Sequence, residues 1–161
     1  MTKTRVWIAM GCCLFAVALA AWAQGGRKPG LWEITTTMNY QSQAGATGRP
    51  ATVGPYTTPA CLTQALIYKY GAPLPQVGQC KITSVNKQAN SVKAILACTG
   101  RMNGTATMES TWTATTATGS VHFVMSPPPG SAAKAVEWTS TSTSVFKSAD
   151  CGSVKPFPMP N

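Results

Sequence analysis

The sequence predicts a mainly β protein: a curved antiparallel meander or partly open barrel of about six strands, with one short helix. Three observations predict it. Side chains alternate between apolar and polar through much of the stretch from Leu31 to Lys147, the period-two signature of half-buried strands. Trp, Ile, Val, Thr and Tyr, which suit a pleated surface, fill those stretches. Four cysteines, Cys61, Cys80, Cys98 and Cys151, follow an N-terminus that reads as an export signal, so a small core is expected to be fastened by disulfides.

Residues 1–23 carry the features of a secretory signal peptide. Lys3 and Arg5 precede an apolar run from Val6 to Ala20, and Ala21-Trp22-Ala23 ends in the small-x-small pattern of a cleavage site. The run is shorter than the ~20 residues that span a bilayer, so no stable membrane insertion is expected after cleavage. Gly11-Cys12 resembles the end of a lipobox but leaves too short an apolar region before the cysteine. Removing 23 of 161 residues leaves 138, one domain's worth of chain. The expected division is a signal at 1–23, a disulfide-stabilised β domain at 24–154 and a loose Pro-rich tail at 155–161.

In chain order, Pro29-Gly30 opens a strand in which Trp32, Ile34, Met38 and Tyr40 share one face and Glu33, Thr35, Thr37 and Asn39 the other. Residues 42–59, with six Gly or Pro, read as a long polar loop. A helix is expected over Thr58 to Tyr68, with Thr58 as N-cap and Pro59 in its first turn. Residues 71–78 form a second irregular connection. From Cys80 the pattern is antiparallel β: Cys80 to Val85, a turn at Gln88-Ala89-Asn90, then Ser91 to Thr99 with Val92, Ala94, Leu96 and Cys98 on one face. Thr105 to Thr115 alternates most clearly, placing Ala106, Met108, Ser110, Trp112 and Ala114 inward. Thr118-Gly119-Ser120 is expected to close a hairpin into Val121 to Met125. Ser126-Pro127-Pro128-Pro129-Gly130 must interrupt the ladder, because proline has no N–H to donate. Ala135 to Lys147 is the last long strand, with Val136, Trp138 and Phe146 inward.

Cys12 and Cys13 leave with the signal, and four cysteines allow three connectivities. The expected pairing is Cys61 with Cys80, closing a loop around the helix, and Cys98 with Cys151, tying a middle strand to the C-terminal end. A metal site is disfavoured: there is no C-x-x-C and His122 is the only histidine. Without the signal, 11 basic and 4 acidic residues remain, a net charge of +7. The basic residues, Arg27 and Lys28 among them, are scattered without a cluster of four, so a solvated surface is expected and nucleic acid is not.

Acid–base catalysis needs titratable groups placed together, and here Glu33, Glu109 and Glu137 fall on the polar faces of expected strands. His122 and Asp150 could complete a triad with a serine only on paper, because no nucleophile-elbow motif marks one. Phosphate loops, dinucleotide fingerprints and EF-hand spacings are absent from the sequence. No catalytic residue, metal or cofactor is expected. Trp32, Met108, Trp112 and Trp138 project inward and are the candidate lining of an apolar pocket, although such residues more often fill a core.

Pro29-Gly30-Leu31-Trp32-Glu33, Cys61-Leu62-Thr63, Cys80, Ala97-Cys98-Thr99-Gly100, Gly104 and Asp150-Cys151-Gly152 together resemble the bacterial secreted family of domain of unknown function 3617, over about residues 28 to 152. The resemblance implies an exported protein of a Gram-negative bacterium with no assigned activity and no catalytic residue to carry over. The Pro-rich loop at Ser126 to Gly130 and the Asp-poor middle depart from the family's usual pattern. The function expected is non-enzymatic binding of a small apolar or amphipathic ligand, or of an envelope protein, in the periplasm. A structural or stress-related envelope protein without a pocket is the alternative.

Overall fold

The structure, a computed structural model, describes residues 26–41, 51–74, 80–100, 103–132 and 134–159. Within them the chain forms β1 (Gly30–Tyr40), β2 (Ala51–Leu62), helix α1 (Gln64–Tyr70), β3 (Cys80–Lys87), β4 (Ser91–Cys98), β5 (Asn103–Trp112), β6 (Thr116–Ser126) and β7 (Val136–Ser148). All seven strands join one open antiparallel sheet in the order β2-β1-β7-β6-β5-β4-β3. The expected β class, antiparallel meander and single short helix are therefore present, and the sheet is not a closed barrel. From β3 to β7 chain neighbours are also sheet neighbours. The N-terminal strand β1 then lies against β7, carrying β2 on its outer side.

The strand beyond the expected six is β2, in the stretch read as a loop. Only its last three residues, Ala60, Cys61 and Leu62, are buried, so no alternation betrays it, and its two prolines fit an edge position. Its register against β1 shifts between Thr36 and Met38. There Gly54 takes φ 107°, and a Cβ on it would stand 2.8 Å from the Thr36 carbonyl oxygen. Residues 42–50 of the expected loop and the signal segment lie outside the described residues.

The helix begins later than the sequence suggests. Pairing of Ala60 with Trp32 and of Leu62 with Gly30 keeps the chain extended through residue 62, and tertiary pairing overrides the Thr58-Pro59 start signal. Thr63 is the N-cap instead, its hydroxyl accepting the Leu66 N–H at 3.2 Å. Leu66, Ile67 and Tyr70 form the buried face, and Gly71 at φ 75° ends the helix by donating its N–H to the Ile67 carbonyl at 2.8 Å. The Trp112 ring lies where a Gly71 side chain would start.

The turn between β5 and β6 also differs. Thr113 to Thr115 makes it: the Thr113 N–H donates to Thr116 O at 2.8 Å and its hydroxyl accepts the Thr116 N–H at 3.0 Å. The Thr118-Gly119-Ser120 segment is inside β6 rather than at a hairpin tip.

The inward face holds two packed groups. Trp32, Leu62, Leu66, Leu74, Val92, Ala94, Met108 and Trp112 form part of the larger, between the sheet and α1, while Leu96, Ala106, Phe123 and Met125 anchor the smaller, beneath Trp138. The outward face carries the threonines and the surface ion pairs.

The expected disulfide pairing is corrected. Cys80 bonds Cys98 and Cys61 bonds Cys151. Cys80 and Cys98 face each other directly across the β3–β4 hairpin, which loop-closure reasoning alone overlooked. Cys61, at the end of β2, is two strands away from β7 across β1, and Cys151 follows immediately after β7. Residues 155–159, read as part of a loose tail, run beside Cys61: the Phe157 N–H donates to Cys61 O at 2.8 Å and the Phe157 ring packs on the larger core group. The two disulfides fit an oxidising, extracellular-type environment, and no helix among the described residues is long and apolar enough to cross a membrane.

Candidate functional site

Strand alternation places Ser140, Ser142 and Ser144 of β7 on the inward face. In register, Ser142 lies between Thr36 of β1 and Gly119 of β6, and Gly119 faces Ser110 of β5. This row of small side chains does not fill the space above the sheet as Leu96 or Phe123 does elsewhere. A Cβ on Gly119 would point into the gap, 3.2 Å from Ser142 Oγ. The result is a cleft of about 180 Å³, floored by the serines and Gly119, walled by Ile34, Met108 and Val121, and bordered by Arg27, Ala72, Pro73 and Phe157 from the covering segments.

Arg27 gives the cleft its charge. The residue is 3 % exposed, although composition alone had placed it among scattered surface cations. Its Cζ stands 4.2 Å from the centroid of the Trp32 ring, a cation–π arrangement. Trp32 is itself fixed, its indole N–H donating to Lys28 O at 2.9 Å, and the Lys28 N–H reaches Ala114 O at 3.1 Å. Arg27 Nε is buried without a hydrogen-bond partner among the described residues. Desolvation by burial pushes its pKa down to about 10, which leaves the guanidinium charged at neutral pH.

No acidic side chain of the chain answers that charge. Glu33 pairs with Lys147 at 2.9 Å, Glu109 with Lys93 at 2.7 Å and Glu137 with His122 at 2.8 Å. Asp150 accepts the Gly152 N–H at 2.9 Å. These are the chain's four acidic residues; the three glutamates lie on the outward face by strand alternation, and Glu109, which also borders the cleft, has its carboxylate held by Lys93. His122 meets Glu137 diagonally across β6 and β7, each about half exposed, rather than Glu109 or Asp150. No cluster of three or more His, Cys, Asp or Glu suited to a metal occurs among the described residues.

The four residues expected to line a pocket do not converge. Trp32 is fully buried, with Phe146 edge-on at 5.7 Å. Trp112 is packed beneath α1 against Gly71. Trp138 stacks on Phe123 at 4.5 Å, with Tyr40 on its other neighbour strand at 6.2 Å. Met108 alone of the four reaches the cleft. The serines are inward positions of an alternating strand between Trp138 and Phe146, a signal weaker than that of the two aromatic residues; nothing in the sequence marks Arg27.

A family model described as protein of unknown function (DUF3617) matches residues 27–151, which spans β1 to Cys151. No curated protein and no solved structure gives a match.

Proposed function

We propose, from the premise that this chain belongs to the DUF3617 family, that it is a non-enzymatic periplasmic protein that binds a small amphipathic molecule in the cleft over β1, β5, β6 and β7. The observation that carries this reading is the row Thr36, Ser142, Gly119 and Ser110, which leaves open a face that is packed elsewhere. Interiors are ordinarily filled to crystal-like density, so an inward row of hydroxyls around a gap suits a ligand with both polar and apolar parts. At about 180 Å³ the cleft is below the roughly 300–1,000 Å³ of sites for drug-sized molecules, so it takes a small molecule or one end of a longer one. The non-enzymatic reading rests on His122 and Glu137 lying on the face away from the cleft. The periplasmic reading rests on the N-terminal signal pattern together with the two disulfides.

Native mass spectrometry of protein isolated from the periplasm tests the binding role. A small bound mass that is lost from Ser142→Val is expected; bare protein in both samples would count against it. One observation favours the alternative of an envelope protein acting through protein contacts: Trp32, Trp112 and Trp138 are built into the core rather than around a shared cavity. Under that reading the bare protein would be recovered with another envelope protein attached.

A further inference from the structure

We infer that the molecule held in the cleft is an organic anion, whose carboxylate is taken by the Arg27 guanidinium with help from the serine hydroxyls of β7. This rests on the binding role proposed above and adds the ligand's charge. A buried cation is costly unless it is paired and hydrogen-bonded, yet Arg27 is almost wholly buried with Nε unpartnered among the described residues. The chain cannot readily supply the missing anion, since all four of its acidic side chains are engaged elsewhere. A net charge of +9 on the full sequence leaves no surplus of negative groups. With no acidic side chain left to answer the charge, a bound anion is the complement that the cleft can accept.

The chemistry of the site selects a carboxylate. Guanidinium presents a planar fork that matches two carboxylate oxygens, and such charge-assisted bonds are about twice as strong as neutral ones. Hydroxyls donate as well as accept, so Ser140, Ser142 and Ser144, which share the cleft with Arg27, can complete the shell of an anion. Ile34, Met108, Val121 and Phe157 receive the apolar remainder. A cavity of about 150 Å³ is known to hold benzene, so an aromatic or short aliphatic acid matches the space.

Benzoate and its neutral counterpart benzyl alcohol separate the two levels of this reading when titrated into the mature protein and followed by the backbone amide NMR signals of Gly119 and Ser142. Benzoate should bind at least about tenfold more tightly than benzyl alcohol, and Arg27→Gln should abolish that preference. Arg27→Lys, which keeps the charge and loses the fork, should fall between, and serves if Arg27→Gln does not fold. Equal binding of the two probes by the unsubstituted protein, or a preference that survives loss of the guanidinium, would overturn the anionic assignment and leave the cleft reading standing. If neither probe shifts those amides, the binding role itself fails and takes this inference with it.

Discussion

The sheet has two halves built on different principles. From β3 to β6 each strand turns back on its predecessor, the inward face is filled by Val92, Ala94, Leu96, Ala106, Met108 and Phe123, and the disulfide joins Cys80 to Cys98, 18 residues on. In β2, β1 and β7 the two ends of the chain are brought together, and the disulfide joins Cys61 to Cys151, 90 residues on. At the join between halves the inward face thins to serines and Gly119 and a cationic side chain is sealed without a counter-charge. The difference teaches where function can be housed: the locally folded half supplies the packed platform, and the seam can tolerate a gap because it is clasped by a covalent bond.

Removing one disulfide at a time probes that contrast most forcefully. Replacing Cys61 and Cys151 together by serine should cost about 4–5 kcal/mol, and replacing Cys80 and Cys98 about 3 kcal/mol, since loop-closure entropy grows with the length spanned; urea unfolding of both double variants would measure the gap. Equal losses would show that the seam gains nothing special from its bond. Next in size is Trp32→Ala, expected to cost about 3–5 kcal/mol because the ring is wholly enclosed. Trp138→Ala, whose ring is only partly covered, should cost about 1–3 kcal/mol in the same denaturation assay.

A smaller effect of opposite sign is expected at Arg27. Arg27→Met should leave the ligand-free protein as stable as before, or up to about 2 kcal/mol more so, because losing a buried unpaired charge outweighs losing its contact with Trp32. The pH dependence has a definite sign. Below about pH 10 the guanidinium is protonated in both folded and unfolded chains, so the cost of burying it is constant; above that, and up to the ordinary arginine range, the unfolded chain alone keeps the proton and the folded state gains stability as pH rises. Any advantage of Arg27→Met over the parent should thus hold up to about pH 10 and shrink beyond it. A large destabilisation at neutral pH would mark Arg27 as a structural fixture instead. Smallest of all, Ser142→Val should shift stability by less than about 1 kcal/mol while emptying the cleft of its ligand, and a thermal melt beside native mass spectrometry separates the two effects.

The locally folded half was largely legible. Alternation in Ser91–Cys98 and Asn103–Trp112 matched the observed inward faces, and the turn at Gln88-Ala89-Asn90 was recognised. That turn also implies the Cys80–Cys98 bond, because the two residues are equidistant from Ala89; loop length alone does not distinguish it from a bond closed around the helix. Gly119 was misleading: mid-strand it provides space, whereas in isolation it resembles a turn residue. The seam was much less legible. β2 lies at an edge with most of its side chains in water, so periodicity had nothing to report, and the pairing of β1 with β7 depends on contacts about 100 residues apart in sequence. Arg27 was hidden for the same reason, since its place over the Trp32 ring, in a cleft shared with Phe157 and the segment after α1, exists only in the assembled fold.

The order of the strands has a consequence for how the molecule can be made. Gly30 to Tyr40 is the first stretch of the finished domain to emerge during synthesis, yet one of its two flanks stays bare until Val136 to Ser148 arrive, and Phe157 reaches its seat beside Cys61 later still. A growing chain can therefore rehearse the hairpins of its middle but cannot pair β1 with β7 until Val136 to Ser148 have been made. A polypeptide whose sheet closes so late spends most of its synthesis with one flank of its first strand unpaired.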